Sequence, residues 1–333
     1  MTVRVFLENL LAAGVLRGVP LLFAALGELW AERSGVLCLS IEGTLLLGAL
    51  AGYAATLATA SPFMGLLCAL AVGLICGLLH AALVVGLRVD QVIAGLGLSF
   101  VASGLASMLG TPLVEARKVA AQLPVIALPS LSAVPLLGPL LSQHSIVLEL
   151  ALSVWLITAL VFSRTRLGLD LTAVGENPSA ADAMGLSVLR LRVLAVVIGS
   201  GLFGIAGASL SLAVSPGWVE GLSAGQGFIA LVLVIFGRFR PSRVALGAFL
   251  FGVIRRLPLD LQGVTLPDFI ERSFLRGPGS TYVLDMLPYV MTMAVLALQT
   301  VRVRRAQSET TLRLDDAPWA LGRPYHRAAR HER

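Results

Sequence analysis

The residues able to do chemistry in this chain sit where a lipid solvent would tolerate them least. Glu28 and Glu32 lie one helical turn apart at the end of a long apolar run, with Arg33 beside them, and Glu42 enters the next run. An ionisable group at the centre of a membrane helix costs about 2.5–3.5 kcal/mol on insertion scales, so such groups face a cavity, a bundle interior or one another. Arg33 is the expected partner of Glu42, and Glu28, Glu32 and Arg33 read as a buried ion network bracing two helices. A direct role with solute or protons is the other reading. His80 lies deep in a third apolar run and reads as a hydrogen-bonded packing residue. Gln91 and Ser99 are eight residues apart and so share one helix face. There they bond either a hydroxylated solute or neighbouring helices, and spacing does not separate the two.

Bond-making chemistry finds no foothold. Gly221-Leu-Ser-Ala-Gly225 has the form of a nucleophile elbow, but that motif needs a strand before it and a helix after it in a parallel sheet. Here it falls in a short loop between apolar segments, and the next histidine is His326 in a basic tail. Lys118 is the only lysine and no Gly-Lys pair occurs, so a phosphate-binding GxxxxGK[ST] loop is absent. Cys38, Cys68 and Cys76 lie in apolar runs without CxxC spacing and read as packed thiols. No catalytic set, metal site, cofactor or nucleic-acid partner is expected.

The elements that carry these residues are membrane spans. Of 333 residues 57% are hydrophobic and 13% charged, about half the charged fraction of a soluble domain. Runs near 5–27, 36–60, 62–87, 89–110, 145–163, 191–214 and 282–300 approach the ~20 apolar residues that a span requires. Two shorter ones, 226–237 and 244–257, flank Gly237–Pro241 and read as short tilted helices or a re-entrant hairpin. The first run is expected to stay as a span, because Glu8 and Arg17 interrupt it and no small-residue cleavage site follows. The fold expected is an all-α polytopic integral membrane protein of about 8–9 transmembrane or half-membrane helices. One domain over 1–300 precedes a basic tail at 301–333. That tail holds eight arginines and reads as a solvated, mobile end, or as one lying on anionic lipid. Arginine placement puts it in the cytoplasm together with Arg164, Arg166, Arg190, Arg192, Arg238, Arg240 and Arg243. The proline-rich stretch 111–145 then faces outside as a cap or short amphipathic piece. Gly48-xxx-Gly52, Gly73-xxx-Gly77 and the Gly201, Gly204, Gly207 series fit close helix packing within the chain.

The segment 164–192 is too polar for lipid, yet it is no charge run. Asn177-Pro178 marks a turn, Pro178 suits the first position of a helix, and Ala180, Ala181, Ala183 and Met184 continue it. Gly185 then ends it in a left-handed conformation. The product is a short helix on the cytoplasmic face, with a docking role.

This segment resembles the coupling loop of ATP-binding-cassette importer permeases in the group of ribose-type and branched-chain amino acid permeases. Their Thr-x-x-Gly, Ala-Val-Gly-Glu-Asn-Pro and Ala-Ala-x-x-x-Gly pattern is matched at Thr165, Gly168, Ala173, Val174, Gly175, Glu176, Asn177, Pro178, Ala180, Ala181 and Gly185. Thr172 stands where relatives usually have arginine. Gly27–Val36 with Ile41-Glu42-Gly43, Asp90–Gly95, Gly227–Ala230 and Phe236–Pro241 are similar to the nucleoside and simple-sugar permeases fed by basic-membrane-protein-type lipoproteins. Cys38, Ser40 and Ser99 replace Asn, Gly and Asn. The likeness spans about residues 20–300.

The resemblance implies a transport subunit of a bacterial plasma membrane and no enzyme. Its implied partners are a cytoplasmic ATPase, a second permease subunit, identical or homologous, and an extracellular or periplasmic substrate-binding lipoprotein, within membrane lipids. ATPase coupling falls to Thr165, Gly168, Gly175, Glu176, Asn177, Pro178, Ala181, Asp182 and Gly185. The substrate pathway falls to Glu42, Gln91, Ser99, Phe100, Gln226 and Phe228, with Trp218 a further aromatic able to stack on a ring. Nucleosides are the first expectation and simple sugars the second; branched-chain amino acids are an alternative. A stand-alone proton-coupled transporter using Glu28, Glu32 or Glu42 would leave segment 164–192 without a purpose.

Overall fold

The computed structural model describes residues 3–115, 120–127, 143–261 and 317–325, with 286, 290 and 293 as isolated positions. Ten helices occur among the described residues. Four come first: α1 (Val3–Arg33), α2 (Ile41–Thr59), α3 (Pro62–Ala81) and α4 (Gln91–Glu115). A two-stranded antiparallel ribbon follows, β1 (Val125–Ala127) with β2 (Gln143–Ser145). Then come α5 (Ile146–Arg164), α6 (Arg166–Glu176), α7 (Pro178–Ala183), α8 (Val188–Ser209), α9 (Gln226–Phe236) and α10 (Pro241–Leu261). Wider π-turns extend α3 over Ala82–Gly86 and α8 over Leu210–Val214.

Six of these helices are long and apolar enough to cross a membrane: α1 to α5 and α8. The chain is therefore an all-α, multi-pass membrane protein. The expected runs at 36–60, 62–87, 89–110, 145–163 and 191–214 correspond to α2, α3, α4, α5 and α8. The first run extends well beyond residue 27, because Glu28 and Glu32 are fully buried by neighbouring helices and do not end it. The expected short segment 244–257 is also longer: α10 has 21 residues, a length of about 31 Å. Only α9 remains short. Its 11 residues rise about 16 Å, roughly half of the 30 Å of hydrocarbon. The expected run at 282–300 lies outside the described residues. In the 111–145 stretch, α4 runs through Pro112 to Glu115, and β1 and β2 account for the only regular structure among its described residues beyond that.

Helix α8 is the hub, packed against α1, α2 and α3. Without a hydrophobic drive between helices in lipid, association rests on close van der Waals contact, and small residues permit it. A Cβ at Gly207 would collide with the carbonyl oxygen of Leu45 in α2, and one at Gly48 in α2 would lie 2.6 Å from Gly204 Cα. The expected small-residue stripes thus pack within the chain. Around them gather Phe23, Leu26, Leu45 and Phe203, all fully buried. By contrast α4 and α5 turn many apolar side chains outward, among them Ile93, Val101, Met108 and Ile157.

This packing is directly testable. Gly207→Leu is expected to abolish recovery of monodisperse protein in detergent, because overpacking a close backbone contact leaves no rotamer free of collision. Gly104→Leu, where no atom lies within 4 Å of the added Cβ, should elute as wild type in size-exclusion chromatography.

Candidate functional site

The chain between α1 and α2 does not stay at the surface. Ser34, Cys38 and Ser40 are fully buried, so residues 34–40 form an irregular connector inside the bundle, where every N–H and C=O needs a protein partner. Those partners come from separate helices. Glu28 in α1 accepts from the Cys38 N–H at 3.0 Å, and Gln91 at the start of α4 accepts from the Leu37 N–H at 2.8 Å. His80 in α3 donates through Nε2 to the Leu37 carbonyl at 3.3 Å, and Arg192 in α8 donates through Nε to the Ser34 carbonyl at 3.1 Å. At the third residue of α2, the Gly43 N–H donates to Ser99 Oγ in α4 at 3.0 Å. Gln91 and Ser99 therefore share a face, as their spacing suggested, and that face carries the connector and the start of α2.

Glu42 lies at the foot of α2, half-buried, and opposite the first turn of α9. The Gly225 N–H donates to its Oε1 at 2.9 Å and the Gly227 N–H to its Oε2 at 2.7 Å. Ser223 Oγ donates to Oε1 as well. The first N–H groups of a helix have no intrahelical acceptor, and the dipole there favours a negative charge. Glu42 thus caps a half-length helix that begins inside the protein. Gly227 is required for the approach, since a Cβ would stand 2.8 Å from the Glu42 Cα. The Gly221–Gly225 look-alike is also accounted for: Ser223 is buried and bonded to a carboxylate, and its turn carries positive φ at Gly221, Ala224 and Gly225.

Two sequence expectations need correction here. Arg33 does not pair with Glu42. Its guanidinium donates to the Phe239 carbonyl through Nε at 3.1 Å and Nη2 at 2.7 Å, and to Thr172 Oγ1 at 3.4 Å. It also lies 5.3 Å over the Phe162 ring. Phe239 sits in the turn after α9 with φ 55°, so Arg33 fixes the end of the same helix whose start Glu42 caps. Nor does Arg33 join Glu28 and Glu32 in an ion network. Both glutamates are fully buried, and neither oxygen of Glu32 accepts a hydrogen bond among the described residues. Thr172 accepts from Arg33; an arginine in its place would set two guanidiniums against each other.

The polar segment folds as two helices. Thr165 caps α6 by accepting from the Gly168 N–H at 3.3 Å, and Asn177 caps α7 by accepting from the Ala180 N–H at 3.0 Å. Pro178 takes the first helical position and Gly185 closes the unit with φ 90°. Ala181 packs with Val174 and Val188, which leaves Ser179, Ala180, Ala183 and Met184 exposed. Gly168 abuts the Val161 carbonyl and Gly175 the Arg33 carbonyl, so neither position admits a side chain. Asp182 is partly buried at the end of α7.

The remaining candidates are dispersed. Gln226 is buried at the start of α9, whereas Phe228 is 40% and Phe100 74% exposed on the outside of the chain. Trp218 is buried against Gly110 and lines a cavity of about 370 Å³ with Tyr53 and Leu222, towards the far ends of α2 and α4.

Sequence reasoning treated the tail as solvated, and for residues 317–325 that is corrected. The Ala320 N–H donates to the Gly175 carbonyl at 2.9 Å and the Gly322 N–H to the Gly35 carbonyl at 3.3 Å. Arg192 Nη1 donates to the Arg323 carbonyl at 3.0 Å. The available signal was Pro318-Trp319 and Pro324-Tyr325, apolar and turn-forming residues set in an arginine-rich stretch.

Comparison with known proteins fits this geometry. The model of the family described as branched-chain amino acid transport system, permease component, matches residues 10–296. The chain belongs to this family. It is 37% identical over 308 residues to the putative glucose ABC transporter permease protein TsgC13 of Haloferax volcanii, covering 89% of this chain and 93% of that one. It is 31% identical over 338 residues to the guanosine ABC transporter permease protein NupQ of Bacillus subtilis, covering 97% and 98%. The nucleoside ABC transporter permease protein NupC of Lactococcus lactis is 32% identical over 303 residues, covering 88% and 92%. No solved structure matches. The protein is accordingly a transport subunit and not an enzyme.

The α9 cap yields a prediction. Glu42→Ala leaves two N–H donors and a hydroxyl without an acceptor, at about 1–3 kcal/mol for each buried group. The thermal unfolding midpoint in detergent should fall by several degrees, and Glu42→Gln, which keeps one acceptor, should fall less. Equal midpoints for all three proteins would deny the cap its energetic weight.

Proposed function

We propose that this permease is one half of the membrane channel of an ATP-driven importer, working with two cytoplasmic ATPases, a second permease subunit and a solute-binding lipoprotein outside. Residues 1–300 form the permease domain, and the C-terminus lies in the cytoplasm on the strength of its arginines. The observation that carries this reading is the capped helix pair α6–α7: it exposes a compact face at Ser179, Ala180, Ala183 and Met184 while its opposite face is anchored by Ala181 and Gly175. Closure of the ATPases on ATP displaces α7 and shifts the bundle between two arrangements, each favoured by a different partner.

Nucleosides are the solute class favoured first and simple sugars second. The relatives named for guanosine, nucleosides and glucose support this pair. Glu42 and the buried Gln226 lie at the start of α9 with Phe228 on its outward side, and half-helices in transporters place such N-terminal turns at the substrate site. Gln91 and Ser99 act on the pathway through the connector they hold, and Phe100 from the outer face of α4.

The test is reconstitution in vesicles with a candidate ATPase and a second permease from the same organism. ATP-dependent uptake of radiolabelled guanosine or uridine, exceeding that of glucose, is the expected result. Ala183→Glu on the exposed face of α7 should abolish co-purification of the ATPase while leaving the elution profile of the permease unchanged. Uptake driven by a proton gradient without any ATPase would overturn the reading.

A further inference from the structure

The segment 317–325 lies beyond the residues matched by the family model, which end at 296, yet it is bonded directly to the elements proposed to meet the ATPase. Besides the bonds of Ala320 and Gly322, the Trp319 N–H donates to Glu176 Oε2 at 3.4 Å. Tyr325 packs on the cluster of Val174, Ala181 and Val188, which includes the inner face of α7. Ala320 is 5% exposed while the adjacent Trp319 indole is 73% exposed. The backbone is thus pinned and the ring held outward, with the Arg323 guanidinium 5.4 Å over it.

A solvated tail has no need of an indole fixed in this way. Aromatic and arginine anchors dominate interface energetics, and a side chain already ordered by its own backbone loses little freedom when it is covered. The Trp319 backbone is bonded to Glu176, one residue before the cap of α7, so the ring stands beside the helix that exposes Ala180, Ala183 and Met184. We propose that residues 317–325 are a second ATPase-docking element, which presents Trp319 and Arg323 beside α7 as part of one composite surface. This inference rests on the reading of α7 as the ATPase contact. It also assigns Glu176 a different part from direct docking: its carboxylate accepts from the strap, and it positions Trp319.

The experiment measures binding of the partner ATPase to the intact permease complex in detergent, by titration, for wild type, Trp319→Ala, Ala320→Pro, a chain ending at Asp316, and Ala183→Glu. Trp319→Ala should weaken binding about tenfold or more. Ala320→Pro, which removes the N–H that bonds Gly175, should weaken it similarly although the indole is still present. Size-exclusion profiles and thermal midpoints establish that each variant is folded. Wild-type affinity in Trp319→Ala and in the shortened chain, with Ala183→Glu still defective, would overturn the strap proposal alone and return the indole to lipid headgroups or solvent. Tighter binding by the shortened chain would overturn it too, by making the strap a shield. Absence of binding by wild type would instead sink the reading of α7.

Discussion

A backbone that leaves helical geometry inside a membrane bundle must find its hydrogen-bond partners in protein, because lipid offers none. Residues 34–40 impose that constraint here. Glu28 comes from α1, His80 from α3, Gln91 from α4 and Arg192 from α8, and each meets a different backbone group of the connector. Displacing any one of these helices by more than a few tenths of an ångström would strand a buried polar group. The glycine contacts of α8 with α2 serve the same end, since they bring the helix axes close enough for short side chains to reach. Packing and polar satisfaction are therefore one requirement in this protein.

The connector also joins the bundle's interior to its surface. Gly35 and Arg192 bind the strap at 322–323, and the strap binds α6 at Gly175. From the connector the chain enters α2, where Glu42 holds the start of α9; the turn after α9 returns to Arg33, and Arg33 reaches Thr172 in α6. These contacts close a ring through α1, α2 and α9, and α6 joins it at Arg33. A force applied near α7 would reach both the start and the end of the half-helix through these contacts, while Ile229, Ala230, Leu233 and Val234 keep its middle packed in the bundle.

Much of this was legible in the sequence. Hydropathy located α2 to α5 and α8, because a span is a property of composition over about 20 residues. The helix α7 was legible because Asn177, Pro178 and Gly185 each perform a local backbone task that depends on no distant residue. Partnerships were not legible where the acceptor is a backbone carbonyl. Arg33 was assigned to Glu42 as the nearest opposite charge in sequence, but the group it meets is Phe239 O, which any residue type would have supplied. The cap of α9 was hidden for a similar reason: its donors are the N–H groups of two glycines, and glycines mark only that something comes close. The strap was masked by its own surroundings, since eight arginines in the tail suggested solvent while Trp319, Ala320 and Tyr325 make its contacts.

The distribution of polar groups also bears on how such a protein works. Glu28, His80, Gln91, Ser99, Arg192 and Ser223 are all buried, and each bonds the chain's own backbone or the Glu42 carboxylate. Ser223 meets a side chain, the Glu42 carboxylate, and that carboxylate is shared with the Gly225 and Gly227 N–H groups at the start of α9. Groups placed in this way hold irregular backbone in a defined arrangement, and irregular backbone is what a bundle needs if it is to change shape without unfolding. The π-turns at Ala82–Gly86 and Leu210–Val214, the connector and the turns on either side of α9 are the places where helices are interrupted. They leave long rigid rods joined at a few bonded joints, a construction suited to moving solute across a bundle.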